Sequence, residues 1–143
     1  MKSENQVVLE FPSRSSNESF ARVAAAGFAM QLDPTLEELG DIKTAVSEAV
    51  TNAIIHGYPD CIGRIVMKLR IREGNVMEII VKDWGVGIAD VEQARKPMFT
   101  TGNDERSGMG FTIMDTIRVK SAPQKGTTVT LKKRISTRMG ERK

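Results

Sequence analysis

The sequence predicts an α/β fold, a two-layer sandwich in which a mixed five-stranded sheet carries helices on one face. Three observations predict it. Two long segments repeat apolar residues at helical spacing. Several shorter ones alternate or run apolar over strand length. The 143 residues make one ordinary core, with no linker or internal repeat to divide them.

Val7 to Phe11 is a short apolar run stopped by Pro12, a first strand. Ser13 to Asn17 is rich in capping residues and opens a helix with the stripe Phe20, Val23, Ala24, Phe28 and Leu32. Asp33-Pro34 breaks it. A second helix runs from about Thr35, with Leu39, Ile42, Val46, Ala49, Val50 and Ala53 on one face, and Gly57-Tyr58-Pro59-Asp60 ends it. From Arg64 to Arg72 the period falls to two, with Ile65, Met67, Leu69 and Ile71 on one side and mostly basic residues on the other. Glu73-Gly74-Asn75 turns the chain into a returning strand, Val76 to Lys82. Asp83 to Ile88 is a glycine-punctuated loop, and Arg95 to Ser107 a long aperiodic one. Met109 to about Thr116 reads as a short helix, and Ile117–Ser121 and Thr127–Lys133 as two last strands around Pro123-Gln124-Lys125-Gly126.

Composition excludes several function classes. One cysteine, Cys61, and one histidine, His56, leave no disulfide framework and almost no ligands for a zinc site. No run nears the roughly 18 apolar residues of a membrane span, and MKSENQVVLEF lacks the apolar core of a secretion signal. The expected setting is therefore a cytoplasmic one without membrane contact. The net charge is +3, but Lys132 to Lys143 alone carry +5 and the remaining residues sum to −2. The excess of base is expected in a tail, Lys132 to Lys143, of which about 135–143 is solvated, and not on a nucleic-acid-binding face. Seven aromatics are too few for a base-stacking platform.

Four groups of residues can carry chemistry. Glu48 and Asn52 lie four apart on the second helix, roughly opposite its apolar stripe; they suit a proton acceptor and a hard metal ligand, or a plain solvated face. Asp83-Trp84-Gly85-Val86-Gly87 is either a strand-end turn or a buried acceptor for an exocyclic amine, with glycines that let backbone approach a flat base. Arg106-Ser107-Gly108-Met109-Gly110 opens a helix, where free N–H groups bind phosphate or Ser107 merely caps. Gly126-Thr127 starts the last strand. Neither a Walker P-loop nor a complete dinucleotide fingerprint is present.

The order of these groups resembles the ATP site shared by gyrase, the heat-shock ATPase chaperones, histidine kinases and MutL, the Bergerat fold. Asn17-Glu-Ser-Phe-Ala-Arg-Val23, Ser47-Glu-Ala-Val-Thr-Asn-Ala-Ile-Ile-His-Gly57 and Arg106-Ser-Gly-Met-Gly-Phe-Thr-Ile-Met114 resemble the anti-sigma F factors of sporulation, a family of serine-protein kinases. The likeness runs from about Val7 to Arg134, and implies one ATP-binding kinase domain over 1–143. It implies that Asn52 holds Mg²⁺, Glu48 is the general base, Asp83 binds the adenine amine, and Gly85, Gly87 and Thr127 shape that pocket. It further assigns Arg106, Ser107, Gly108, Met109 and Gly110 to the phosphates of ATP or ADP, Arg95–Ser107 to a lid, and Glu18, Ser19 and Arg22 to partner docking. The implied protein is a homodimer that binds a sigma factor, phosphorylates a serine of an anti-anti-sigma protein, and does not bind DNA directly. The 115–125 connection is shorter than the family pattern. A kinase switch for a general-stress sigma factor, and a nucleotide-gated binding module without kinase activity, are the competing readings.

Overall fold

The computed structural model describes residues 3–87 and 113–136. Strand β1 (Ser3–Pro12) leads into helix α1 (Ser16–Ala29), which tightens to a 3₁₀ turn (Met30–Leu32). Helix α2 (Leu36–Asn52) widens at its end into a π-helical turn (Ala53–Gly57). Strands β2 (Arg64–Arg72), β3 (Val76–Asp83), β4 (Thr116–Ala122) and β5 (Gly126–Arg134) complete the sheet. Among the described residues no helix is long and apolar enough to cross a membrane.

The sheet has the order β1-β2-β3-β5-β4, and each of its four pairings is antiparallel. This corrects the expectation of a mixed sheet. β3 and β4 point the same way, but β5 lies between them, so no parallel pair forms among the described residues. The β2–β3 turn is built at Gly74 and Asn75, both with positive φ (84° and 62°), the geometry a tight hairpin needs. β2 buries Ile65, Met67, Leu69 and Ile71, as its alternation predicts. These pack with Met77, Ile79, Val81, Val129 and Leu131 beneath Ile42, Val46 and Val50 of α2, in a single core.

The expected stripe of α1 is corrected. Its buried residues are Ala21, Ala25, Phe28 and Ala29, while Phe20 and Val23 are exposed, at 57% and 62%. α1 packs on α2, whose buried face carries Ala45 and Ala49. Small residues let two helix backbones approach closely, so the alanines take the interface and the bulkier Phe20 and Val23 point away.

Helix α2 is started by a reciprocal cap. The Thr35 hydroxyl accepts from the Glu38 N–H (3.0 Å) and the Glu38 carboxylate accepts from the Thr35 N–H (2.9 Å). The other Glu38 oxygen accepts from the Ser136 N–H at 2.9 Å. Ile135 is a core residue, so the chain remains docked through Ser136; residues 137–143 lie outside the described residues.

The basic charge is not confined to the terminus, contrary to expectation. Lys132, Lys133 and Arg134 belong to β5, and Lys133 is buried against Asp41 (3.4 Å) and the Ile113 carbonyl (2.7 Å). On the sheet's outer side, Arg70, Arg72 and Lys132 converge on the buried Glu78, at 3.5, 2.8 and 4.0 Å.

Candidate functional site

Asp83 is the last residue of β3 and only 3% exposed. Burial pushes its carboxyl above the usual aspartate range, and hydrogen bonds from the Gly85 and Thr127 backbones pull it partly back. Its Oδ1 accepts the Gly85 N–H at 2.9 Å. Thr127 stands opposite it in the β3–β5 register, is itself buried, and shares a 2.7 Å hydrogen bond with the Ser121 hydroxyl. A carboxylate and a threonine hydroxyl are thus brought to one end of two neighbouring strands.

The next residues are held tightly. The Val86 N–H donates to the Gly57 carbonyl (2.9 Å), and the Gln124 N–H donates to the Val86 carbonyl (2.5 Å). A methyl group on Gly85 would collide with the Gly57 carbonyl. Gly87 has φ +80°, and a methyl there would collide with the Ala122 carbonyl. Side chains are excluded at both positions by backbone packed against backbone. The end of α2 is thereby pinned beside Asp83.

Asn52 closes α2 and is buried, at 9% exposure. Glu48, one turn earlier, is half-buried; its Oε1 meets no hydrogen-bond partner among the described residues. Burial without compensation pushes its carboxyl up to about 7. The expectation of a polar face opposite the core is corrected on this point. α1 lies along one flank of α2, so the Glu48–Asn52 face is only partly in solvent.

Glu48 also lines a groove of about 690 Å³ between α1 and α2, with Arg22, Val23, Gly40, Lys43, Thr44 and Ser47. Across it the Ser47 hydroxyl donates to Glu18 Oε2 at 2.5 Å, and Arg22 Nε lies 3.7 Å from the same oxygen. Arg22 also donates to the Ser19 hydroxyl at 3.4 Å. Glu18, Ser19 and Arg22 therefore form one cluster, linked to the residue next to Glu48. Arg106, Ser107, Gly108, Met109 and Gly110, and the loop Arg95–Ser107, lie outside the described residues.

Two residues of this region carry no signal that motif spacing could expose. Ser47 acts through a partner on another helix. Tyr58 reads from sequence only as part of a helix stop, yet its phenol donates to the Arg64 carbonyl (2.6 Å) and accepts the Trp84 N–H (2.7 Å).

Comparisons with known proteins bear on the family and the fold. Residues 11–133 match the histidine kinase-like ATPase domain. The chain is 57% identical over 137 residues to the anti-sigma F factor of Geobacillus kaustophilus, spanning 92% of this chain and 94% of that one. It is 54% identical over 142 residues to the anti-sigma F factor of a Thermoanaerobacter species (96% and 99%), and 52% identical over 138 residues to that of Bacillus subtilis (92% and 94%). In fold it is similar to the crystal structure of the RsbU and RsbW domains of a Mycobacterium tuberculosis protein. That match has a TM-score of 0.68 and 20% identity, over 93% of this chain and 32% of that one. The histidine kinase domain of a blue-light activated kinase from Erythrobacter litoralis matches with a TM-score of 0.53 and 20% identity, over 87% of this chain and 62% of that one.

Proposed function

The chain belongs to the anti-sigma F factor family of histidine kinase-like ATPase domains, and from that premise we propose that it is an ATP-dependent protein-serine kinase. Its proposed substrate is a serine of an anti-anti-sigma protein, and in its ATP-bound state it holds a sigma factor. One observation carries the kinase reading. Glu48 keeps a buried carboxylate oxygen with no partner among the described residues, its carboxyl pushed up to about 7, beside an open groove and one turn before Asn52. A merely solvated glutamate has neither property, and a proton acceptor poised near neutrality has both.

In this reading Asp83 accepts a hydrogen bond from the adenine amino group, with Gly85, Gly87 and Thr127 shaping the pocket. Arg106, Ser107, Gly108, Met109 and Gly110 attend the phosphates. Asn52, a buried residue, carries an amide oxygen, a hard ligand type suited to Mg²⁺. Mg²⁺, when bound, neutralises charge on the triphosphate. The serine oxygen forms its bond to the γ-phosphorus as the bond to the bridging oxygen breaks, and ADP leaves with that electron pair. The hydroxyl proton passes to Glu48. Glu18, Ser19 and Arg22 supply a docking surface for the protein partners, and the active unit is a homodimer.

Incubation of the chain with γ-labelled ATP, Mg²⁺ and an anti-anti-sigma protein tests this. Label is expected on a serine of the partner. ATP binding and sigma-factor capture with no transfer would reduce the chain to a nucleotide-gated binding module. Sedimentation of the free chain tests the dimer.

A further inference from the structure

We infer that Tyr58 is a positioning residue for the nucleotide: its phenol fixes the backbone immediately after Asp83, and so sets how long a nucleotide stays bound. The inference rests on the nucleotide-binding reading of Asp83 and deepens it.

Three successive backbone N–H groups follow Asp83, and each is taken by a different acceptor. The Trp84 N–H goes to the Tyr58 phenol at 2.7 Å, the Gly85 N–H to Asp83 Oδ1 at 2.9 Å, and the Val86 N–H to the Gly57 carbonyl at 2.9 Å. Two of the three acceptors are consecutive residues, Gly57 and Tyr58, at the end of the π-helical turn that begins directly after Asn52. π turns are concentrated at functional sites. Here the turn joins the element that carries Asn52 to the loop that carries Gly85 and Gly87.

Tyr58 is itself held at both ends. Its hydroxyl donates to the Arg64 carbonyl at 2.6 Å, and its ring lies so close to Gly63 that a methyl group there would collide with it. Gly63 is fixed in turn by exchanging hydrogen bonds with Ser13, whose hydroxyl accepts the Gly63 N–H at 2.9 Å and whose N–H donates to the Gly63 carbonyl at 2.8 Å. The phenol is thus a rigid peg between the start of β2 and the end of β3. Without it the Trp84 N–H turns to water, and the Asp83–Gly87 loop keeps its register with one tether fewer.

The test is Tyr58→Phe, which keeps the ring and removes the oxygen. Release of methylanthraniloyl-ADP, followed by stopped flow, is expected to quicken about three- to tenfold, the worth of roughly one hydrogen bond. Association is expected to stay within about twofold. Trp84 is the only tryptophan, so its emission reports the loop directly and is expected to change in Tyr58→Phe before nucleotide is added. Gly63→Ala displaces the ring while keeping the hydroxyl, and is expected to hasten release as well. Thr35→Ala removes the α2 cap, away from the site, and is expected to lower the melting temperature with no effect on release. Unchanged release in Tyr58→Phe overturns the inference alone. So does equal acceleration in Thr35→Ala, because Tyr58 would then act only through stability. A wild-type chain that binds no ADP overturns the nucleotide reading and this inference with it.

Discussion

The two ends of the candidate site are built on opposite terms. Around Asp83 each of the three following N–H groups has an acceptor, and glycines let backbone meet backbone. In the groove between α1 and α2, Glu48 has a buried oxygen with no partner among the described residues and about 690 Å³ of open space beside it. The first end is finished before any ligand arrives, as suits recognition of a rigid, flat base. The second is incomplete among the described residues, and a buried carboxylate left without a partner is a cost to the fold. Such a cost is expected where a proton must be taken up during a reaction.

The largest effect should come from completing the incomplete end. Glu48→Gln keeps the shape of the side chain and removes the proton acceptor. Single-turnover phosphate transfer is expected to slow by about 10²–10⁴, while titration of ATP leaves affinity nearly unchanged. Wild-type transfer by this variant would make Glu48 an ordinary helix residue; lost ATP binding would move it into the metal site. Because the carboxyl is pushed up to about 7 by burial, wild-type transfer is expected to rise with pH through about 7 and then level off, with no such inflection in the variant.

The finished end predicts an effect in binding instead. Asp83→Ala removes the proposed acceptor for adenine and frees the Gly85 N–H. ATP affinity is expected to fall by roughly 1–3 kcal/mol, about five- to 150-fold by calorimetry. Unchanged affinity in a folded variant would remove Asp83 from the site.

A smaller effect compares the two ends through stability. The folded Glu48 carboxyl titrates above its unfolded value, so between about 4.5 and 7 the folded chain holds more protons than the unfolded one. Stability therefore falls as pH rises through that window. Glu48→Gln escapes the penalty and is expected to melt a few degrees above wild type at pH 8, but level with it below about pH 4.5. A melting difference independent of pH would mean that the carboxyl is not buried at a cost.

The same contrast explains what the sequence made legible. β2 and β3 follow alternation and hairpin chemistry, local signals that survive folding. The stripe of α2 is legible because Ile42, Val46 and Val50 are both large and buried. The face of α1 is not legible for the converse reason: a hydrophobicity pattern weights Phe20 and Val23, whereas close helix packing selects Ala21, Ala25 and Ala29. Asp83 and its glycines stand in one short segment, so their motif can be seen. Ser47 to Glu18 spans 29 residues and Tyr58 to Trp84 spans 26. Neither link has a spacing that chain-local reasoning can recognise.

The smallest expected effect concerns Arg22, and it tests whether the open groove is also a docking site. Arg22 Nε is 3.7 Å from Glu18 Oε2, and its side chain is 39% exposed. Exposed pairs of this kind contribute little, about 0–1 kcal/mol, so Arg22→Ala should hardly alter the melting temperature. Glu18 keeps the Ser47 hydroxyl as its donor, so the clasp between α1 and α2 survives the substitution. Arg22 makes no described contact with Asp83, and ATP affinity should be unchanged. What is lost is a guanidinium at the groove mouth beside the exposed Val23, a place where a partner's acidic or carbonyl oxygen can be met by several N–H groups at once. Binding of the sigma factor to the ATP-loaded chain should weaken by about 1 kcal/mol, or fivefold. The measurement is a titration of sigma factor by interferometry beside an ATP titration of the same sample. Unchanged binding of both ligands would leave Arg22 an ordinary surface residue. Loss of both would assign it to the fold and not to a docking surface, and the two ends of the site would no longer be separable by substitution.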